Sequence, residues 1–201
     1  MNHKFKTLTS AFLSCALLAS GLSCAGVNFS MRRDKVLDEV SKNKRTVKVY
    51  RDLDTIFIAD ILWYSSELKR SFVQTIKSEG RIDDFQANKM LGDIAEQEGR
   101  ELEFIVGFYT PDKALNDLDK GNSMWRLTLK AADGSSVTPT VIEKLKYNNM
   151  QDAWMFSFLT PWKYCYRARF AKTDALKGLS AYTLRVTSVV GEGTFNWNLP
   201  K

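Results

Sequence analysis

Residues 160–170, TPWKYCYRARF, interleave aromatic and basic side chains. In an extended chain successive side chains point to opposite faces, so Tyr164, Tyr166, Ala168 and Phe170 share one face and Cys165, Arg167 and Arg169 the other. Guanidinium groups fork onto phosphate or carboxylate oxygens, and aromatic rings stack on apolar or cationic surfaces. Trp162, Tyr164, Arg167 and Arg169 are therefore the candidate ligand-binding set, suited to an anionic glycan or a lipid headgroup. The plainer alternative is a half-buried strand whose arginines keep one sheet face wet, which places Cys165 on that wet face.

A second stretch, YTPDKALNDLDKGNSMW at 109–125, offers the oxygens of Asp112, Asn116, Asp117, Asp119 and Asn122 around Pro111 and Gly121. Calcium takes such ligands, but an EF-hand loop needs Gly at its sixth place and Glu at its twelfth. Counted from Asp117, those places hold Asn122 and Thr128. The expectation is a polar turn with side-chain to backbone hydrogen bonds; no metal ligand and no cofactor is assigned.

The single histidine, His3, lies in the leading segment described below. Without it the rest of the chain has no imidazole for a Ser-His-Asp or Cys-His nucleophile or for a zinc or iron site. Carboxylate chemistry, a Ser-Lys pair and oxygen-ligated calcium survive that exclusion. The paired carboxylates are Asp83 with Asp84, Glu96 with Glu98, and Glu101 with Glu103. Helix capping explains the first, and the other two flank a helix end and a strand start, where solvated carboxylates are common. No catalytic residue is assigned, and the reading leans away from an enzyme.

The chain starts MNHKFKTLTSAFLSCALLASGLSC: Lys4 and Lys6, an apolar run broken only by small residues, then a small-residue exit. This is the layout of a secretory signal, too short and weakly flanked for a membrane span. It resembles the precursors of bacterial lipoproteins, which are cut immediately before a cysteine that is then acylated. Ser23 fits the place before that cysteine; Gly21 stands where the class prefers Leu, and Leu22 follows one residue later. The resemblance implies a signal peptide over 1–23, lipidation at Cys24 and a membrane anchor. Cleavage after Ala25, with Ser23 and Ala25 as the small pair, is the alternative and frees a soluble periplasmic or secreted protein. A Cys24 to Cys165 disulfide needs a retained, unacylated Cys24 and ranks third.

Loss of 23 residues from 201 leaves 178, enough for one domain with a real core. Removal of Lys4 and Lys6 lowers 29 basic residues to 27 against 23 acidic ones, a charge far below nucleic-acid-binding density.

The elements that must position the candidate residues follow from periodicity. Residues 24–45 read as a tether and a short charged helix, with only Val36, Leu37 and Val40 to bury. From Thr46, TVKVY and TIFIADILWY read as strands about a turn at 51–54. Ser65 caps a helix with Leu68, Phe72, Val73 and Ile76 on one face and Gly80 at its end. Asp83, with Gln86 three residues on, opens a second helix carrying Phe85, Met90, Leu91, Ile94 and Ala95 inward. This helical insertion over 65–100 cannot bury its own faces and must pack on a sheet.

ELEFIVGFY, SMWRLTLKA, TVIEKLKY, KYCYRARFAK, AYTLRVTSVV and TFNWNL then read as strands, the last two joined by Gly191-Glu192-Gly193. TVIEKLKY also suits a helical turn. Alternation in TLRVTSV and TFNWNL, with Phe195, Trp197 and Leu199 apolar, marks antiparallel sheet with one buried face. The expected fold over 46–201 is α+β, a mainly antiparallel immunoglobulin-like β-sandwich with an inserted helical hairpin.

Between Phe108 and Trp197 the runs YTPD, NDLD, MWRL and LTPW, in that order, resemble a group of bacterial lipoproteins of unassigned function. What the resemblance implies is a small anchored envelope domain. Ala25, where an Asp marks inner-membrane retention in that class, implies the outer membrane, facing the periplasm. The expected function is a lipid-anchored binding module of the cell envelope, touching the membrane through its lipid and an envelope protein or cell-wall component, with no nucleic acid. The alternative is a carboxylate-based or calcium-dependent secreted hydrolase.

Overall fold

The computed structural model describes residues 25–131, 133–146, 153–176, 179 and 181–198. The signal segment, Cys24 and Leu199 lie outside them. Helix α1 (Ala25–Asn43) leads into strands β1 (Lys44–Arg51) and β2 (Asp54–Trp63), then helices α2 (Ser66–Ser78) and α3 (Asp84–Glu98). Strands β3 (Glu101–Tyr109), β4 (Arg126–Lys130), β5 (Ser136–Val137), β6 (Val141–Leu145), β7 (Tyr164–Ala171), β8 (Ala181–Ser188) and β9 (Gly191–Asn198) follow. The fold is α+β: among the described residues, three α-helices and two antiparallel sheets, one ordered β1-β2-β3-β7-β6 and the other β5-β4-β8-β9.

The two sheets bury one shared core. Phe57, Ala59 and Ile61 of β2, Phe104, Val106 and Phe108 of β3, and Tyr166, Ala168 and Phe170 of β7 meet Leu129 of β4, Leu184 and Val186 of β8, and Phe195 and Trp197 of β9. Each large apolar side chain taken fully from water contributes about 1.5–3 kcal/mol. The alternation in β8 and β9 is the cause visible in the sequence: Tyr182, Leu184 and Val186 are buried along β8, and Gly193, Phe195 and Trp197 along β9.

The five-stranded sheet is also covered on its other face. Leu62, Ile105 and Cys165 project there into a second cluster with Val36 and Val40 of α1, Leu68, Phe72, Val73 and Ile76 of α2, Ile94 of α3, and Met155, Phe156 and Leu159. Burial on both faces explains why β2 and β3 read as nearly continuous apolar runs. At the centre of β3, Gly107 lies between Asp60 and Cys165 in register, and a Cβ there would sit 2.6 Å from Leu159 Cδ2. The bare backbone lets the 153–163 segment lie flat on the sheet.

Local chemistry sets the helix ends. Ser65 accepts from Leu68 N at 3.2 Å, and Gly80, at φ +70°, takes the left-handed turn after α2. Asp83 and Gln86 close the reciprocal capping box of α3.

The inward stripe of α3 differs from the expected one. Ala87 and Ile94 are buried and Met90 and Leu91 half-buried, while Phe85 is 78% exposed and Ala95 is exposed. At 100° per residue, 87, 90, 91 and 94 make one face, and 85 and 95 rotate off it. Helix α1 starts at Ala25, earlier than the apolar spacing marks, and it runs antiparallel to α2: Glu39 accepts from Ser71 Oγ at 3.1 Å, and Arg33 forks onto Glu79 at 2.6 and 3.0 Å.

Two further differences lie in the strands. The turn between β8 and β9 falls at Val189 and Val190, and the expected linker Gly191-Glu192-Gly193 belongs to β9. The reason is close approach, since a Cβ at Gly193 would sit 3.0 Å from both Phe57 and Val47. Val141–Leu145 of the TVIEKLKY run form edge strand β6, which among the described residues pairs with β7 alone, and this accounts for its weak pattern.

Candidate functional site

On β7 the expected alternation holds, with Tyr166, Ala168 and Phe170 inward and Cys165, Arg167 and Arg169 outward. The outward face, however, is not wet at its start. Cys165 is 2% exposed beneath the helical layer, and burial pushes its thiol up to about 12. The four candidate binding residues separate accordingly. Tyr164 packs at the edge of the inner core, its ring capped by the Lys144 ammonium at 3.4 Å, and Trp162 stands 73% exposed in the preceding loop. Only Arg167 and Arg169 come together.

What joins them is a set of acids from the neighbouring strands. Glu103 of β3 and Glu143 of β6 lie opposite Arg169 and Arg167 in register, on either side of β7. Arg167 Nε is 3.0 Å from Glu103 Oε1, and its Nη1 is 3.2 Å from Glu143. Arg169 Nη2 reaches the same Glu143 oxygen at 3.5 Å, and Lys69 of α2 binds Glu103 Oε2 at 2.5 Å. The chain of charges therefore crosses from α2 over β3 and β7 to β6. Sequence reasoning passed over Lys69 and Glu143, and it read Glu103, paired with Glu101, as a solvated carboxylate, whereas its side chain is largely buried between Lys69 and Arg167. The available signal was the Glu101-x-Glu103 alternation beside Arg167-x-Arg169, which becomes complementary once β3 and β7 are neighbours.

A cavity opens on each side of the Lys69–Glu103 pair, in the cleft between the helical hairpin and the sheet. One, of about 350 Å³, is lined by Trp63, Tyr64, Arg70, Glu98, Glu103 and Lys172 among others. The other, of about 250 Å³, has an apolar side of Phe72, Met90 and Ile94 facing Arg167 and Arg169. Lys69 also lies 5.1 Å from the centre of the Tyr64 ring, and Glu98 is bound by Arg70. The cleft thus offers aromatic edges and matched charges. Both oxygens of Glu103 are engaged by cations, one oxygen of Glu143 bridges two arginines, and Glu98 is tied to Arg70. A glycosidase pair needs two carboxyls turned toward a sugar; of the glutamates on the wall of the first cavity, Glu98 and Glu103 turn toward cations, and Glu67 and Glu101 complete the lining.

The 109–125 loop spends its oxygens on its own shape. Asp112 accepts from Ala114 N at 2.8 Å, and Asp117 from Ser123 Oγ at 2.7 Å. Asn116, 5% exposed, donates to Phe108 O at 2.7 Å and accepts from the Tyr166 hydroxyl at 2.9 Å. Burial raises that phenol above its usual range. Among the described residues no group of three or more His, Cys, Asp or Glu could hold a metal ion.

A different surface stands out at the β1–β2 and β8–β9 hairpin tips. Arg51 Nη2 donates to Val190 O at 2.8 Å, holding the two tips side by side. Leu53 at one tip is 99% exposed and Val189 at the other 91%, with Tyr50 exposed nearby. Asp52, at φ +55°, makes the first turn by adopting the left-handed conformation that Asp tolerates better than most residues.

Among the described residues no helix is long and apolar enough to cross a membrane. No family model, curated protein or solved structure matches this chain.

Proposed function

We propose that this chain is a lipid-anchored, periplasm-facing binding module of the bacterial cell envelope. Cys24 is the acylated residue, Ala25 directs it to the outer membrane, and the two sheets form an immunoglobulin-like sandwich. It binds a protein or cell-wall component through the paired hairpin tips. The observation that carries the binding role is the near-complete exposure of Leu53 and Val189 on two hairpin tips that the Arg51 bond to Val190 ties together. Isolated exposed apolar residues are common; here two nearly bare aliphatic side chains stand on hairpin tips tied by one hydrogen bond, where a partner can cover both. The ion-paired carboxylates of the cleft support binding over hydrolysis.

Photo-crosslinking in the native envelope tests this. A photoreactive residue at position 53 or 189 yields one discrete adduct, and the same residue in place of exposed Lys130, at the end of β4, yields none. Equal labelling at all three positions overturns the tip as a binding surface. Mass spectrometry of the membrane-extracted protein reads the anchor: a diacylglycerol-modified N-terminus at Cys24 supports it, and a soluble product starting at Gly26 sinks it.

A further inference from the structure

We propose that the groove between α1 and α2 binds the phosphate of an anionic phospholipid in the leaflet that holds the anchor. The groove, of about 350 Å³, is lined by Arg32, Lys35, Val36, Ser71, Gln74 and Thr75. Arg32 and Lys35 stand one turn apart on α1, exposed, and neither has a carboxylate partner among the described residues. Their neighbours are committed: Arg33 and Arg81 to Glu79, and Lys77 to Asp84. Two uncompensated cations on one wall of a polar groove attract an anion, and the Gln74 carboxamide opposite adds a donor. The hydroxyl protons of Ser71 and Thr75 are already given to Glu39 and to Ser71 O. Glu39, which takes the Ser71 proton, is not among the residues that line the groove, so the anion sits between Arg32, Lys35 and Gln74.

The choice of a lipid phosphate rests on the anchor reading above and on the direction of α1. Because α1 runs antiparallel to α2, the N-terminal end of α1 projects beyond the C-terminal end of α2, the end where Arg33 meets Glu79. At 1.5 Å per residue, Arg32 lies about 10 Å along the helix from Ala25. An acyl group on Cys24 holds that end of α1 at headgroup level, and long cationic side chains span the remaining gap.

The mature chain carrying Cys24→Ser, with no acyl group to hold it, is tested by sedimentation with vesicles. Each cation near an anionic surface strengthens binding about fivefold, so Arg32→Gln with Lys35→Gln weakens binding to phosphatidylglycerol-containing vesicles by about 25-fold. Lys48→Gln with Lys130→Gln, exposed on β1 and β4, leaves it within about twofold, after correction for the lost net charge. Vesicles of phosphatidylcholine alone bind weakly, and millimolar inorganic phosphate does not displace the protein. Equal loss from both double variants, equal binding to the two vesicle types, or displacement by inorganic phosphate overturns the lipid site. Circular dichroism of the Arg32/Lys35 variant separates lost binding from lost folding. The anchor fails separately, by the N-terminal mass, without altering the vesicle result.

Discussion

Asp60 and Lys163 form an ion pair across the outer face of the five-stranded sheet, where Asp60 is only 4% exposed. The second carboxylate oxygen accepts from Thr46 Oγ1 at 2.5 Å, and Lys163 also donates to Phe158 O at 3.3 Å. The pair pins the 153–163 segment to β2. Removing one member leaves the other buried without its counter-charge, a loss of about 3 kcal/mol for either Asp60→Asn or Lys163→Met. Urea unfolding gives the measure. The double variant is expected to lose less than the two singles combined, because neither uncompensated charge remains; strict additivity would show that the two do not interact.

Gly107 lies beneath the same segment. Its replacement by Ala drives a methyl group into Leu159 Cδ2, so this side chain, itself 2% exposed, must shift within the packed layer. Overpacking of this kind destabilises by about 1–3 kcal/mol. The pairing of Gly107→Ala with Leu159→Ala relieves the clash while opening a cavity, so the two changes are expected to be less than additive in thermal unfolding.

Cys165 is held protonated by burial, its pKa moved from 9.0 to about 12. Alkylation of the native protein near pH 8, read by mass spectrometry of the Cys165 peptide, is therefore slow and becomes rapid in denaturant. The linkage runs in one direction. Below pH 9 folded and unfolded states both keep the proton, and this group gives stability no slope. Between 9 and 12 the unfolded thiol ionises and the folded one does not, so stability falls as pH rises. Cys165→Ala removes that slope, at the expense of a small cavity.

These residues also show where the sequence was legible. Caps depend on a few neighbouring side chains, so Ser65, Gly80 and the Asp83–Gln86 box could be read directly. Strand faces depend on a period of two, so β8, β9 and the two faces of β7 could be read as well. What covers a face is set by distant chain. Cys165 belongs to an outward face that looks wet until α2 and residues 155–159 are laid over it. The Arg167–Glu143 and Lys69–Glu103 pairs depend on strand order and on where α2 docks, which no local pattern encodes. Trp162 and Tyr164 look like partners of Arg167 because they are close in sequence, yet Tyr164 faces the inner core and Trp162 lies in the loop before β7.

Glu79 at the end of α2 fastens α1 to the rest of the molecule. Its side chain is 2% exposed, gripped by the Arg33 fork and faced by Arg81 at 3.8 Å, and the hydrogen bonds from Arg33 hold its carboxyl below 4.5. A lowered folded pKa means that the contribution is present above the unfolded value and is lost as pH falls through the folded one. Glu79→Gln is therefore expected to destabilise at neutral pH by about 1 kcal/mol, kept modest because Arg33 is partly solvated. The difference between wild type and variant should shrink as the pH drops below 4.5. Because the clasp closes one end of the α1–α2 pair, the variant should also be cut faster by trypsin at Arg32, Arg33 and Lys35 at neutral pH, with rates elsewhere unchanged. A uniform rise in cutting along the chain would show that Glu79 supports the whole fold and not the docking of α1.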